Sequence, residues 1–211
     1  MSFPWRPIAM AAMAVCLLLA ATGCGIFSFF DTEPYRPVSY FDIGSPKNLS
    51  PTGLKVQIMP FVAEGPYDTP MVFKTGAYCV QFDQYNRWSQ FPNNMLRRYF
   101  ELYLNDPSTE ADFSAVPKYS LSAAIVNFEG SLAPAGAEAG NEAVLTLNVS
   151  VQDYTNGKLL WNKLFHEVAP MPSRSAQSFA QAMSEAVAKV APKVKDKILE
   201  LERDATINQA Q

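Results

Sequence analysis

The chain has 211 residues, 48% of them hydrophobic and 18% charged, with a formal net charge of -3. That length suits one domain of ordinary size, and that balance excludes disorder throughout and a polycation that coats nucleic acid. Of three cysteines, Cys16 falls in an apolar leader, Cys24 at its boundary and Cys79 in the body, so a modified Cys24 leaves Cys79 without an intrachain partner.

Arg6 is the only charge before Asp31, and Ile8 to Ala21 is an apolar run of 14 residues closed by Thr22-Gly23-Cys24-Gly25. A short positive start, an apolar stretch of about 7 to 15 residues and small residues at the cut describe a secretory signal. A spanning helix needs roughly 20 apolar residues, so residues 1–23 read as a removable leader. The segment Leu19-Ala20-Ala21-Thr22-Gly23-Cys24 resembles a bacterial lipobox. That resemblance implies lipid attachment at Cys24, through a diacylglyceryl thioether and an amide-linked chain such as palmitate. At about 0.8 kcal/mol per buried CH₂, several chains anchor where one would be marginal. Gly25 after the cysteine, by resemblance to sorting in Gram-negative envelopes, implies the outer membrane with the body facing the periplasm. The bland alternative is a secreted protein whose Cys24 lies near the cut by chance, and the leader's length and small residues speak against it. With Arg6 removed, residues 24–211 keep 16 basic and 20 acidic side chains and no polybasic patch for anionic lipid heads.

Residues 24–38, with Ile26, Phe27, Phe29, Phe30, Pro34 and Pro37, read as a tether. Strand signals follow at Ser39 to Ile43 and at Leu54 to Val62, where Leu54, Val56 and Ile58 alternate. Met71 to Lys74 and Tyr78 to Phe82 form a pair of short strands around Thr75-Gly76. From Trp88 the period turns helical through Phe91, Met95, Tyr99 and Leu102, with Ser89 as cap, Pro92 in the first turn and Asn105-Asp106-Pro107 as the end. A polar connection over 105–117 leads into a strand from Lys118 to Glu129, and Ser131 to Asn141 reads as a mobile loop.

The cleanest alternation is Ala143, Leu145, Leu147, Val149 and Val151 against Thr146, Asn148, Ser150 and Gln152. Asn156-Gly157 predicts a two-residue type I′ turn, and Lys158 to Val168 the return strand. From Ser175, the residues Phe179, Met183, Val187, Val190, Val194, Ile198 and Leu201 predict a long amphipathic helix, kinked or broken by Pro192 near Ala191. Residues 205–211 read as a flexible tail. The fold class expected is α/β of the α+β sandwich kind: a single domain over 39–204, with a mixed, mostly antiparallel sheet covered by two main amphipathic helices.

A hydrolytic nucleophile needs a base within reach, and His166 is the sole histidine. It sits beside Glu167 on the return strand, with no Gly-x-Ser-x-Gly elbow, His-Glu-x-x-His pair or glycine-rich phosphate loop in the chain. A surface role suits His166 better than catalysis. Cys79, between Tyr78 and Val80, reads as a small buried hydrophobe rather than a redox group. Asp106 and Glu110 fall in loops and read as solvated. No enzyme, metal or cofactor is expected, and the chain reads as a binding or scaffolding protein.

Tyr40-Phe41-x-Ile43, then Leu54-Lys55-Val56-Gln57-Ile58-x-Pro60, then Tyr85-Asn86-Arg87-Trp88 opening a helix, Asn127-Phe128-Glu129 and the strand-Asn-Gly-strand unit together resemble the ABC-type transport auxiliary lipoprotein family across nearly the whole mature chain. The resemblance implies a periplasm-facing lipoprotein serving an ABC-type system whose MCE-domain partner carries phospholipid or another hydrophobic molecule between membranes. It also implies a separate ATPase and permease, no nucleic acid, and homo-oligomerisation left open. Tyr85, Arg87 and Trp88 are the candidate partner-binding residues. Either Trp88 anchors an interface with Arg87 pairing a partner carboxylate, or Trp88 packs as core in register with Phe91, Met95 and Tyr99 while Arg87 bonds locally. An alternative function is an outer-membrane lipoprotein that regulates or scaffolds peptidoglycan synthase assembly. The 14 residues between Cys24 and the first strand, some 45 Å at about 3.3 Å each, are short for that role.

Overall fold

The alternating and helical segments sort into eight strands and two helices in a computed structural model that describes residues 35–47, 55–105, 116–134 and 140–209. The leader, Cys24, most of the tether, the 106–115 connection and 135–139 lie outside the described residues. In chain order the elements are β1 (Ser39–Phe41), β2 (Val56–Ile58), β3 (Val62–Ala63), β4 (Pro70–Thr75), β5 (Val80–Trp88), α1 (Pro92–Leu104), β6 (Tyr119–Leu132), β7 (Asn141–Asp153), β8 (Leu159–Met171) and α2 (Ala176–Gln209).

Strand β6 is the axis of a single open sheet. One of its edges pairs antiparallel with β7 from Tyr119↔Asp153 to Ser131↔Glu142, and β7 pairs antiparallel with β8. Its other edge is divided among three short parallel partners in chain order: β2 on Tyr119–Leu121, β3 on Ala124–Ile125 and β4 on Gly130–Leu132. Strand β5 runs antiparallel to β4, and β1 adds in parallel beside the end of β5, giving the order β1-β5-β4-β6-β7-β8. The antiparallel ladders are long and the parallel ones short, which is the mixed sheet that the alternation predicts.

Of the segment expected as one strand from Leu54 to Val62, Leu54 lies outside the described residues and the rest is two strands, because Met59, Pro60 and Phe61 interrupt it and a proline has no N–H for the ladder. Asn105, at the C-cap of α1, takes over part of that ladder: its Oδ1 accepts from the Val56 N–H at 2.9 Å and its Nδ2 donates to the Val56 carbonyl at 3.0 Å. Asn93 donates to the Phe61 carbonyl at 3.1 Å. Helix α1 is thereby tied to β2 and to the chain entering β3.

Both helices cover one face of the sheet. Helix α1 buries Pro92, Met95, Leu96, Tyr99, Phe100 and Leu104, and α2 buries Phe179, Met183, Val187, Val190, Val194 and Ile198, the period-3.6 stripe read in its sequence. Ser175 caps α2, its Oγ accepting from Ser178 N–H at 3.1 Å. Aromatic rings lock the layers: Phe179 lies 5.0 Å from Phe73 and 5.3 Å from Trp88, and Trp88 lies 5.1 Å from Phe128. Gly130 makes room for this cluster, since a Cβ there would sit 2.6 Å from the Phe73 ring. On the outer edge of the sheet, Lys189 donates to the Val168 carbonyl at 3.1 Å and Lys193 pairs with Glu167, so two lysines of α2 reach β8.

Several local expectations are corrected. Helix α1 begins at Pro92 without a side-chain cap, because the Ser89 hydroxyl donates instead to Asp42 at 2.7 Å, and Phe91 is exposed. Asn156-Gly157 does not form a type I′ turn. That turn needs positive φ at both central residues, and only Gly157 has it, at +70°. The loop spans Tyr154 to Gly157, closed by Gly157 N–H to the Asp153 carbonyl at 2.9 Å and fastened by Thr155 and Asn156 on the Asp153 carboxylate. Pro192 does not break α2, which runs on through it and past 204 to Gln209. Strand β6 extends to Leu132, into the stretch expected to be loop. Cys79 is exposed rather than buried, because it lies on the tip between β4 and β5, beyond the helix-covered face.

The far end of α2 is held to the start of β6 by one carboxylate. Glu202 accepts from Lys118 Nζ at 2.9 Å and from the Tyr119 hydroxyl at 2.8 Å. The Lys118 hydrogen bond outweighs partial burial and, with Tyr119, holds the Glu202 carboxyl below the ordinary glutamate range, while burial and that carboxylate push Tyr119 upward. A lowered folded-state value means stabilisation that is present above the unfolded glutamate pKa and lost as pH falls through the folded one. With Glu202 and Lys118 both partly solvated, the contribution is at most ~1 kcal/mol. Urea midpoints at pH 7 and pH 3 should therefore fall more for the wild type than for Glu202→Gln, and equal falls would refute the contribution.

Candidate functional site

The Tyr85-Asn86-Arg87-Trp88 stretch is shaped by Asp83. One carboxylate oxygen of Asp83 accepts from the Tyr85 and Asn86 N–H groups, both at 2.9 Å, and the other accepts from Asn86 Nδ2 at 2.8 Å. This turn inserts extra residues into β5, so its register against β4 jumps from Val72↔Phe82 to Pro70↔Arg87. Beyond the jump, Trp88 N–H donates to the Thr69 carbonyl at 2.6 Å and Ser89 N–H to the Phe41 carbonyl at 2.7 Å. Strand alternation then sends Trp88 inward and Arg87 outward.

The three candidate residues therefore separate. Trp88 is 1% exposed, wedged between Phe128 and Phe179, and presents nothing to a partner; it is core, and it is strand rather than the first residue of a helix. Tyr85 and Arg87 are half-buried. Arg87 lies on the face that bears no helix, across from Tyr40 on β1 and Pro70 on β4. Its Nε is enclosed and meets no acceptor among the described residues. Cys24 lies outside the described residues.

The helix-free face holds polar groups that alternation in β6, β7 and β8 turns outward. Asn162 Nδ2 reaches Asn148 at 2.9 Å and Ser150 at 2.8 Å, and Thr146 Oγ1 lies 2.9 Å from His166 Nδ1. Glu129 is buried on this face, with Lys74 at 4.0 Å and the Tyr67 hydroxyl at 3.3 Å from its carboxylate. Burial first, and then the Glu129 charge, raise the Tyr67 pKa, so that hydroxyl stays protonated and donating. Apolar side chains flank the patch: Tyr40 is 65% exposed, Phe82 51% and Val80 44%.

Sequence reading missed the Tyr67–Glu129 pair. Tyr67 lies in a connection, and the ring folds back over Gly65, where a Cβ would stand 2.4 Å from it. A Gly-Pro pair immediately before an aromatic was the available signal. Among the described residues no three His, Cys, Asp or Glu side chains converge on a metal-sized site, and no helix is long and apolar enough to cross a membrane.

A family model for the ABC-type transport auxiliary lipoprotein component matches residues 55–195. The chain belongs to that family. The matched region runs from the start of β2 to beyond Pro192 in α2, so it takes in α1, the whole β6–β8 meander and the first part of α2 of this auxiliary lipoprotein. Among solved structures, protein XCC0632 from Xanthomonas campestris, of the family DUF330, is similar with TM-score 0.58 and 16% identity, over 82% of this chain and 98% of that one. An uncharacterized protein is similar with TM-score 0.58 and 12% identity, over 77% and 99% of the two chains. At those identities the likeness establishes the shared fold. No curated protein matches the sequence.

Separating Trp88 from its neighbours is measurable. Trp88→Ala should cost ~3–5 kcal/mol of unfolding free energy, whereas Phe82→Ala, at an exposed position, should stay within about 0.5 kcal/mol. Chemical denaturation of the two variants compares them directly, and similar losses would contradict the assignment of Trp88 to the core.

Proposed function

We propose that this auxiliary lipoprotein is the membrane-anchored, periplasm-facing accessory subunit of an ABC-type intermembrane lipid transport system, and that it docks an MCE-domain protein without performing chemistry itself. The observation that carries this reading is the family match over residues 55–195. The leader and lipobox-like segment support the anchor: acylated Cys24 holds the chain, through residues 24–38, at the outer membrane. A tether of that length keeps the body within reach of the bilayer and of whatever assembly delivers lipid to it.

The helix-free face of the sheet supports a docking role. Arg87 there carries an enclosed Nε with no acceptor, beside the exposed aromatic rings of Tyr40 and Phe82. An arginine among aromatics is the composition of an interface hot spot. A partner carboxylate at that point would satisfy the guanidinium bidentately.

Two measurements test the reading. Mass spectrometry of the native protein should find Cys24 as an acylated N-terminal residue, and an unmodified thiol or an intact leader would overturn the anchor. Co-purification from envelope membranes should recover an MCE-domain protein. Arg87→Met, which removes an unsatisfied polar group and leaves folding within about 0.5 kcal/mol, should weaken that recovery about tenfold or more, as expected for a charged hydrogen bond of ~1.5–3 kcal/mol. Recovery of a peptidoglycan synthase in place of an MCE-domain protein would replace the transport reading, and recovery unaffected by Arg87→Met would remove Arg87 from the docking surface.

A further inference from the structure

On the helix-covered side, away from Arg87, the segment after β1 runs along α1 and leaves two cavities of about 230 and 250 Å³. Ser45 and Tyr99 line both, so the two form one groove that passes from α1 to α2. Its ends differ. One is lined by Asp42, Gln90 and Arg98 together with Met95 and Leu102. The other is lined by Tyr103, Ala188 and Pro192 together with Lys47, Ser184 and Glu185.

Tyr99 marks the groove as more than a surface crease. It is 4% exposed, its ring is stacked on Tyr103 at 6.4 Å and 14°, and its hydroxyl makes no hydrogen bond among the described residues. That hydroxyl is not enclosed; it opens to the groove, where a ligand acceptor can take the place of its water. Burial, and then Tyr103, raise its pKa, so it remains a proton donor. A second polar group is created by Pro192. With no N–H, the proline denies the Ala188 carbonyl its usual donor four residues on, in the wall of the same groove.

The charges select the kind of head that fits. Asp42 is fixed in place by Gly44 N–H and the Ser89 hydroxyl, each at 2.7 Å. Arg98, lining the same end, has no ion-pair partner among the described residues. An anionic head alone would meet Asp42 and a cationic head alone would meet Arg98, whereas a head carrying both charges satisfies both. At the other end the strip formed by Tyr103, Ala188 and Pro192, flanked by Lys47, Ser184 and Glu185, offers apolar contact to methylene groups.

We propose that this groove binds a zwitterionic amphiphile, the anionic part of its head between Arg98 and the Tyr99 hydroxyl, the cationic part at Asp42, and its chain along Tyr103 toward Pro192. This deepens the transport reading by giving the subunit a direct hold on its cargo class.

The probe is a photoactivatable phosphocholine amphiphile with a diazirine in its chain, added to the full-length protein in amphipol, with crosslinked peptides mapped by mass spectrometry. Labelling should fall on α1 and on α2 around residues 184–192. Ala188→Trp, at an exposed position that fills the end at Pro192, should reduce labelling about tenfold, equivalent to ~1.4 kcal/mol. Arg98→Gln should lower labelling by the phosphocholine probe and leave that by a matched probe with an uncharged glycerol head unchanged. Circular dichroism melts of both variants establish that they fold. Labelling spread over other peptides, labelling unaffected by Ala188→Trp, or equal labelling by the two heads in the wild type would each overturn the proposal. The docking assay reads a different face: labelling lost while MCE-domain recovery persists refutes the groove alone, and the converse refutes the docking alone.

Discussion

The divided edge of β6 is the constraint on which the fold depends. A fourteen-residue strand faces three separate segments on that edge, none longer than six residues, and no isolated strand of that length is stable in water. Each is held only because β6 is already paired along its other edge and because a second contact fastens it. Asn105 does this for β2, Asn93 for the approach to β3, and the Phe73–Phe179–Trp88 cluster for β4 and β5. The helices thus do more than cover a sheet. They complete hydrogen-bond ladders and wedge rings between strands that would otherwise part.

What could be read from the sequence follows from how many neighbours decide each residue's place. In β7 one face is entirely buried, so alternation from Ala143 to Val151 alone specifies it. Along α2 the stripe from Phe179 to Ile198 is unbroken. Trp88 was ambiguous because four residues before Pro92 it is in step with the α1 stripe, while the Asp83 turn and the pairing to β1 that hold it in a strand involve side-chain and long-range contacts that periodicity cannot express. Cys79 misled for a related reason: Tyr78-Cys79-Val80 is apolar like a core strand, yet it sits where the sheet has run past the helices. Pro192 leaves α2 continuous because its ring lies toward the groove and its missing bond falls on a carbonyl at the surface. The sharing of β6 by three strands leaves no mark in local sequence at all.

The site had a similar split. The family was legible because its resemblance is carried by short contiguous motifs. The separation of Arg87 from Trp88 needed only alternation once β5 was known to continue through them. The Tyr67–Glu129 pair and the groove at Tyr99 join segments far apart in the chain, and appear only when the fold has brought them together. Two faces with different chemistry result: a helix-free sheet face carrying an arginine among aromatics, and a groove between helices where charged side chains flank Tyr99, Tyr103 and Pro192. A subunit that touches both a protein and an amphiphile needs such a division, since one surface serving both would force its ligands to compete.

Chain order adds a kinetic consequence to the divided edge. Protein chains are made and delivered from the N-terminus, at about 5–20 residues per second during synthesis. The three short segments therefore appear before the only strand that can receive them, and stay open until residue 132 has followed. By contrast, the β6–β8 meander closes on local contacts, the kind that form fastest. Nascent molecules should pass through an interval in which a completed C-terminal meander awaits an N-terminal half with bare amides and apolar side chains. That interval is when a holdase would be needed most.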